Sequence, residues 1–151
     1  MLESYKNTSL WKTAFEKDFN NNTLNQERDR FKEVYINTRE NAQNLLNEIR
    51  NDFPQLTIHD ITHCDSLWHV ASVIIGEDYP LNPLEGFVLG CAFLIHDAAL
   101  SYKAVGGCEQ LRQKTEWKDF RSDYNDRTDL QEEEKDKEAD FKTIRYLHAE
   151  Y

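Results

Sequence analysis

Ten consecutive residues, Gly86-Phe87-Val88-Leu89-Gly90-Cys91-Ala92-Phe93-Leu94-Ile95, carry no charged, amide or hydroxyl side chain, and the next two are His96 and Asp97. A transmembrane helix needs about 20 apolar residues, so this run is too short to span a bilayer. It must pack inside protein. A strand is one way to bury so apolar a run. Its continuity with Pro83-Leu84-Glu85 favours a helix, because proline fits the first turn. A helix without a polar face is expected to be enclosed on most sides. That demands several further helices around it, so the fold is expected to be all-α. Five glycines and three prolines in 151 residues agree with this; strand-and-turn folds use more.

The rest of the chain supplies helices. Leu10, Trp11, Ala14, Phe15 and Phe19 recur at steps of three or four, predicting a first helix over residues 3–19 that Asn20-Asn21-Asn22 breaks. A longer amphipathic helix is expected from Leu24 to Asp52, with Phe31, Val34, Tyr35, Leu45, Leu46 and Ile49 on one face and Pro54 as its stop. A third is expected from Ile61 to Gly76, with Leu67, Val70, Ala71, Ile74 and Ile75 facing inward and glycine closing it. The apolar run is the fourth, from Pro83. Short helices are expected over 108–125. Residues 126–140 are the most charged stretch, a solvated loop running into a helix, and Phe141, Ile144, Leu147 and Tyr151 continue at helical spacing. The chain reads as cut in mid-helix. It is expected to be one domain over 1–151: N-terminal helices in 1–53, a central core in 54–107 and a charged helical segment in 108–151.

Composition narrows the partners. The net charge is −10 and aromatic residues make up 12% of the chain, enough to build a core. So acidic a chain is disfavoured as a binder of extended nucleic acid or of an anionic membrane surface. A short nucleotide held through a cation stays allowed. Cys64, Cys91 and Cys108 are odd in number and form no CxxC pair, and the N-terminus lacks the apolar core of a signal peptide. A cytoplasmic, reduced protein is expected.

The residues able to do chemistry cluster in two places. His96 and Asp97 follow the apolar helix directly, and burying an imidazole and a carboxylate there costs several kcal/mol unless something satisfies them. A divalent cation would, and this donor pair suits Mn, Fe, Ni, Zn or Co. The second place is Thr57-Ile58-His59-Asp60-Ile61-Thr62-His63-Cys64-Asp65, with two histidines four apart. Blander readings stand beside these. Asp97 could cap the next short helix and His96 make one core hydrogen bond. His59 could cap the third helix, and His63 could be a surface residue of its first turn. His69 points to another face.

The pattern His63-Cys64-Asp65-Ser66-Leu67-Trp68, then about thirty residues, then Phe93-Leu94-Ile95-His96-Asp97-Ala98-Ala99, resembles the HD superfamily of metal-dependent phosphohydrolases. The resemblance covers roughly residues 45 to 105. It implies an HD-domain-like helical bundle, incomplete at its C-terminus, and a divalent metal ion (Mn, Fe, Ni, Zn, Co or Mg) on His63, His96 and Asp97. It implies hydrolysis of a phosphoester, a small nucleotide being the best-suited ligand, with Asp97 and His59 in catalytic positions. His59, Lys103 and His148 would neutralise phosphate, His148 lying in Arg145-Tyr146-Leu147-His148-Ala149-Glu150, which is similar to a segment of some members. Ala99 and Leu100 stand where the family usually has glycine and often lysine. A late aspartate has no obvious counterpart: Asp123, Asp126, Asp129 and Asp140 all lie in the charged stretch. These departures leave open a catalytically degenerate domain that senses a ligand or binds a protein, in front of an ATPase domain as in some family members.

Overall fold

The computed structural model describes residues 4–56, 59–76 and 79–150. The predicted helix start at residue 3, the loop residues Thr57 and Ile58, the connection residues Glu77 and Asp78, and Tyr151 lie outside them. The fold is all-α, and no strand occurs among the described residues. A 3₁₀ turn, Ser4–Asn7, precedes α1 (Ser9–Phe15), α2 (Asn22–Asp52), α3 (Ile61–Ile75) and α4 (Pro83–Ile95). A second 3₁₀ turn, Tyr102–Val105, leads to α5 (Cys108–Gln113), α6 (Thr115–Ser122) and α7 (Glu132–Leu147). No described helix is long and apolar enough to cross a membrane. The chain divides into two compact units, residues 1–47 with 58–95, and residues 48–57 with 96–151.

The first unit is built on aromatic rings. Trp11, Phe15, Tyr35 and Trp68 are buried and mutually in contact, with Trp11 and Trp68 centroids 5.5 Å apart. The Trp68 indole N–H donates to the Tyr35 hydroxyl at 3.0 Å and the Trp11 indole N–H to Glu16 Oε1 at 3.2 Å, so both indoles of the cluster are satisfied. Burial pushes the Tyr35 phenol well above its usual range. The α4 backbone presses on this cluster through two glycines. A Cβ on Gly86 would lie 2.4 Å from the Ala14 Cβ, and one on Gly90 would lie 2.5 Å from a ring carbon of Tyr35 and 2.6 Å from one of Trp68. Only glycine permits that approach.

Two expectations about faces are overturned here. The α4 helix is not enclosed: Gly86, Gly90 and Leu94 are buried, while Leu84, Val88 and Ile95 on the opposite side are exposed. In α3 the inward residues are Ile61, Cys64, Asp65 and Trp68, whereas Val70, Ile74 and Ile75 face solvent and Leu67 and Ala71 are half-buried. An ion pair accounts for the turned helix. Arg39 of α2 grips Asp65 with both ends of its guanidinium, Nε to Oδ1 at 2.8 Å and Nη2 to Oδ2 at 2.5 Å. A carboxylate this well matched belongs inside, and it takes Trp68, three residues on, with it.

The second unit packs α7 against α5 and α6. A capping box closes the start of α7: the Gln131 amide N–H donates to Glu134 Oε2 at 2.7 Å, and the Gln131 side chain accepts in return from the Glu134 backbone. Ala139, Thr143, Ile144 and Leu147 form its buried stripe. The last residues of the 48–57 segment join this unit through Phe53, whose ring lies 4.9 Å from Tyr102 and 5.9 Å from Phe141.

Candidate metal centre

In the first unit the start of α3 is fixed by Asp60. Its side chain is the N-cap, accepting from the Thr62 amide at 2.9 Å, the Thr62 hydroxyl at 2.5 Å and the His63 amide at 3.3 Å. Partial burial would raise the Asp60 carboxyl, but the hydrogen bonds from Thr62 and His63 outweigh it and hold the group below its ordinary range. This cap sets where the helix begins, and so where His63 sits on its first turn. His59 lies just before the cap, in the loop. Its ring nevertheless meets that of His63, with centroids 5.4 Å apart and planes at 68°. Both imidazoles are half-buried. Asp65 is committed to Arg39 and is no candidate ligand. His69 is exposed on another face, 3.4 Å from the Ser4 hydroxyl.

In the second unit His96 and Asp97 sit on the turn that follows α4. Asp97 is buried, and its backbone carbonyl accepts the Leu100 amide at 2.9 Å. His96 Nε2 lies 2.9 Å from Asp97 Oδ2, with the His96 side chain 37% exposed. Both members of the doublet were expected to be buried; only the carboxylate is. Ala99 and Leu100, at the two positions where the resemblance called for glycine and lysine, are buried core residues. Lys103 is exposed on the 3₁₀ turn. His148 ends α7, its Nδ1 2.6 Å from the Arg145 carbonyl oxygen.

Of the late aspartates, Asp123, Asp126 and Asp129 are exposed, as the charged stretch suggested. Asp140 is not: it is fully buried and saturated. Arg112 Nε (3.0 Å) and Trp117 Nε1 (2.7 Å) donate to its Oδ1, and Arg112 Nη2 (2.7 Å) and the Tyr102 hydroxyl (2.9 Å) to its Oδ2. Burial, and then the neighbouring carboxylate, hold the Tyr102 phenol far above its usual range. Every partner of Asp140 lies 23 or more residues away in sequence, which is why composition alone misplaced it.

A model of the HD-CE family matches residues 53–151. No curated protein and no solved structure matches the chain.

Proposed function

The chain belongs to the HD-CE family, and from that premise we propose that it is a metal-dependent phosphohydrolase acting on a phosphoester, with a small nucleotide as the substrate class. The observation that carries the reading is the pair of half-buried imidazoles, His59 and His63, with ring centroids 5.4 Å apart; the buried Asp97 carboxylate is proposed to complete the donor set. The chemistry of the donors fits: neutral imidazole nitrogen with carboxylate oxygen suits a divalent transition metal. His96, on the Asp97 carboxylate, is the fourth candidate donor and otherwise orients that carboxylate. When bound, such an ion polarises a phosphoryl oxygen and makes water a stronger nucleophile. The residues of the chain then have separate tasks. Asp97 carries the negative charge that anchors the cation. His63 is held in place by the Asp60 cap. His59, outside the helix and against the His63 ring, is proposed to serve the donor set or the substrate. Lys103 and His148 are proposed to meet phosphate charge, in a chain whose net charge of −10 otherwise repels it.

A second reading has its own support. Asp140 is consumed by Arg112, Trp117 and Tyr102, and Ala99 and Leu100 have taken core positions. A site that binds metal and ligand without turnover, as a sensing module of a larger ATPase-containing protein, would follow from those replacements. One experiment separates the readings. The full chain is dialysed against Mn, Fe, Ni, Zn, Co or Mg, its metal content is measured, and phosphate release from small nucleotides is then assayed. Metal with turnover supports the hydrolase, and metal without turnover the sensor. His63→Ala and Asp97→Ala are each expected to lower metal content at least about tenfold. Unchanged content in both would overturn the donor assignment.

A further inference from the structure

The α3 and α4 helices form a hairpin joined by residues 76–82, and both pack on α1. On their far sides they carry Val70, Val73 and Ile74 in α3 and Leu84, Val88 and Ile95 in α4, all exposed; Val73 is 85% and Ile74 77% accessible. The spacing within each helix, 70-73-74 and 84-88-95, keeps these residues opposite the buried edges at Trp68 and at Gly86, Gly90 and Leu94. Together they leave on the order of 700 Å² uncovered, more than the few hundred Å² of contiguous apolar surface usual on a soluble monomer.

We infer that this face is a homodimer interface, each copy covering the other's α3–α4 hairpin. Two observations select a second copy as the occupant. The first is area: the face approaches the ~800 Å² that each partner contributes to a stable interface. The second is charge. The chain has 28 acidic and 18 basic residues, so two copies repel over most of their surface. The α3 and α4 segments contain no Lys or Arg and only two acidic residues. Of these, Asp65 is neutralised by Arg39, and Glu85 accepts the Asn82 backbone amide at 3.0 Å. An uncharged apolar stripe is self-complementary under a two-fold axis, where the same residues meet each other. A charged partner would instead call for a matching charged rim, which these helices do not supply.

Sedimentation equilibrium on the full chain tests this. The wild type is expected to be dimeric at about 10 μM. The double substitution Ile74→Glu with Val88→Glu is expected to weaken dimerisation by at least about 100-fold, because like charges meet across the axis. Both sites are exposed, so helical content by circular dichroism should not change. A wild-type chain that stays monomeric at about 100 μM gives the face to some other occupant and overturns the inference. So does a double variant that dimerises as tightly as the wild type. Metal content is a separate readout, and its loss or retention bears only on the donor group.

Discussion

Replacing Asp140 by Asn isolates the electrostatics of the second unit, because the two side chains have nearly the same shape. One carboxylate oxygen accepts Arg112 Nε and Trp117 Nε1, and the other accepts Arg112 Nη2, the Tyr102 hydroxyl and the Cys108 thiol, the last at 3.8 Å. Whichever way the amide is turned, its NH₂ faces groups that also donate. The Tyr102 hydroxyl can rotate to accept, but Arg112 and Trp117 cannot. At least one charge-assisted hydrogen bond is therefore lost, worth about 1.5–3 kcal/mol, and a donor is left facing a donor. Breaking a buried ion pair costs about 3–5 kcal/mol. The Arg112 side chain is 34% exposed and keeps Asp136 at 3.2 Å, which argues for the lower end. The expected loss is about 3 kcal/mol, a large part of the 5–15 kcal/mol that usually holds a domain together. Urea unfolding followed by circular dichroism and by tryptophan fluorescence measures it. The exposed Asp129→Asn serves as control and should leave the midpoint unmoved. A loss below about 1 kcal/mol for Asp140→Asn would refute the claim that this carboxylate organises α5, α6 and α7.

Two further outcomes follow from the first unit. Asp60→Ala removes the cap of α3 and should destabilise by about 1 kcal/mol; because the folded carboxyl titrates below its ordinary value of 3.8, its contribution is present above that pH and lost as pH falls through the lower, folded value, so the variant should show a shallower acid limb in thermal melts, and an identical limb would count against the cap. Gly90→Ala drives a methyl to 2.5 Å from Tyr35 and 2.6 Å from Trp68 and should cost about 1–3 kcal/mol in chemical denaturation, where an unchanged midpoint would mean that α4 lies farther from the aromatic cluster than described.

Much of the helical framework is legible in the sequence. Gly76 and Pro83 mark helix ends by local chemistry, and the structure stops α3 and starts α4 at them; the cap of α3 is Asp60, not His59, which the sequence offered for that place. The faces are less legible. Apolarity in α4 says which surroundings a residue tolerates, not which it has, so Val88 and Ile95 read as core and are exposed. In α3 the Val and Ile residues outvote Trp68 and Asp65 by count, but the ring volume of one and the guanidinium partner of the other decide the rotation. Arg39 is 26 residues from Asp65, and no periodicity reports such a pairing. Among the candidate donors, the two histidines and the His-Asp doublet are short-range features that the sequence displays directly. The saturation of Asp140 cannot be read this way, because its donors, Tyr102, Cys108, Arg112 and Trp117, are all distant in sequence.

The grip of Arg39 on Asp65 has one more consequence. Successive residues of a helix point about 100° apart, so fixing the azimuth of residue 65 fixes that of residue 63. Arg39 also rests on the Tyr5 ring, 5.2 Å from its centroid, which ties the guanidinium to the aromatic cluster. The side of α3 on which His63 stands is thus decided by α2 and the N-terminal turn. As a proposed metal donor, a residue placed in this way would surrender less orientational freedom on binding. Loosening Arg39 is then expected to weaken the proposed site from a distance, without touching a donor atom.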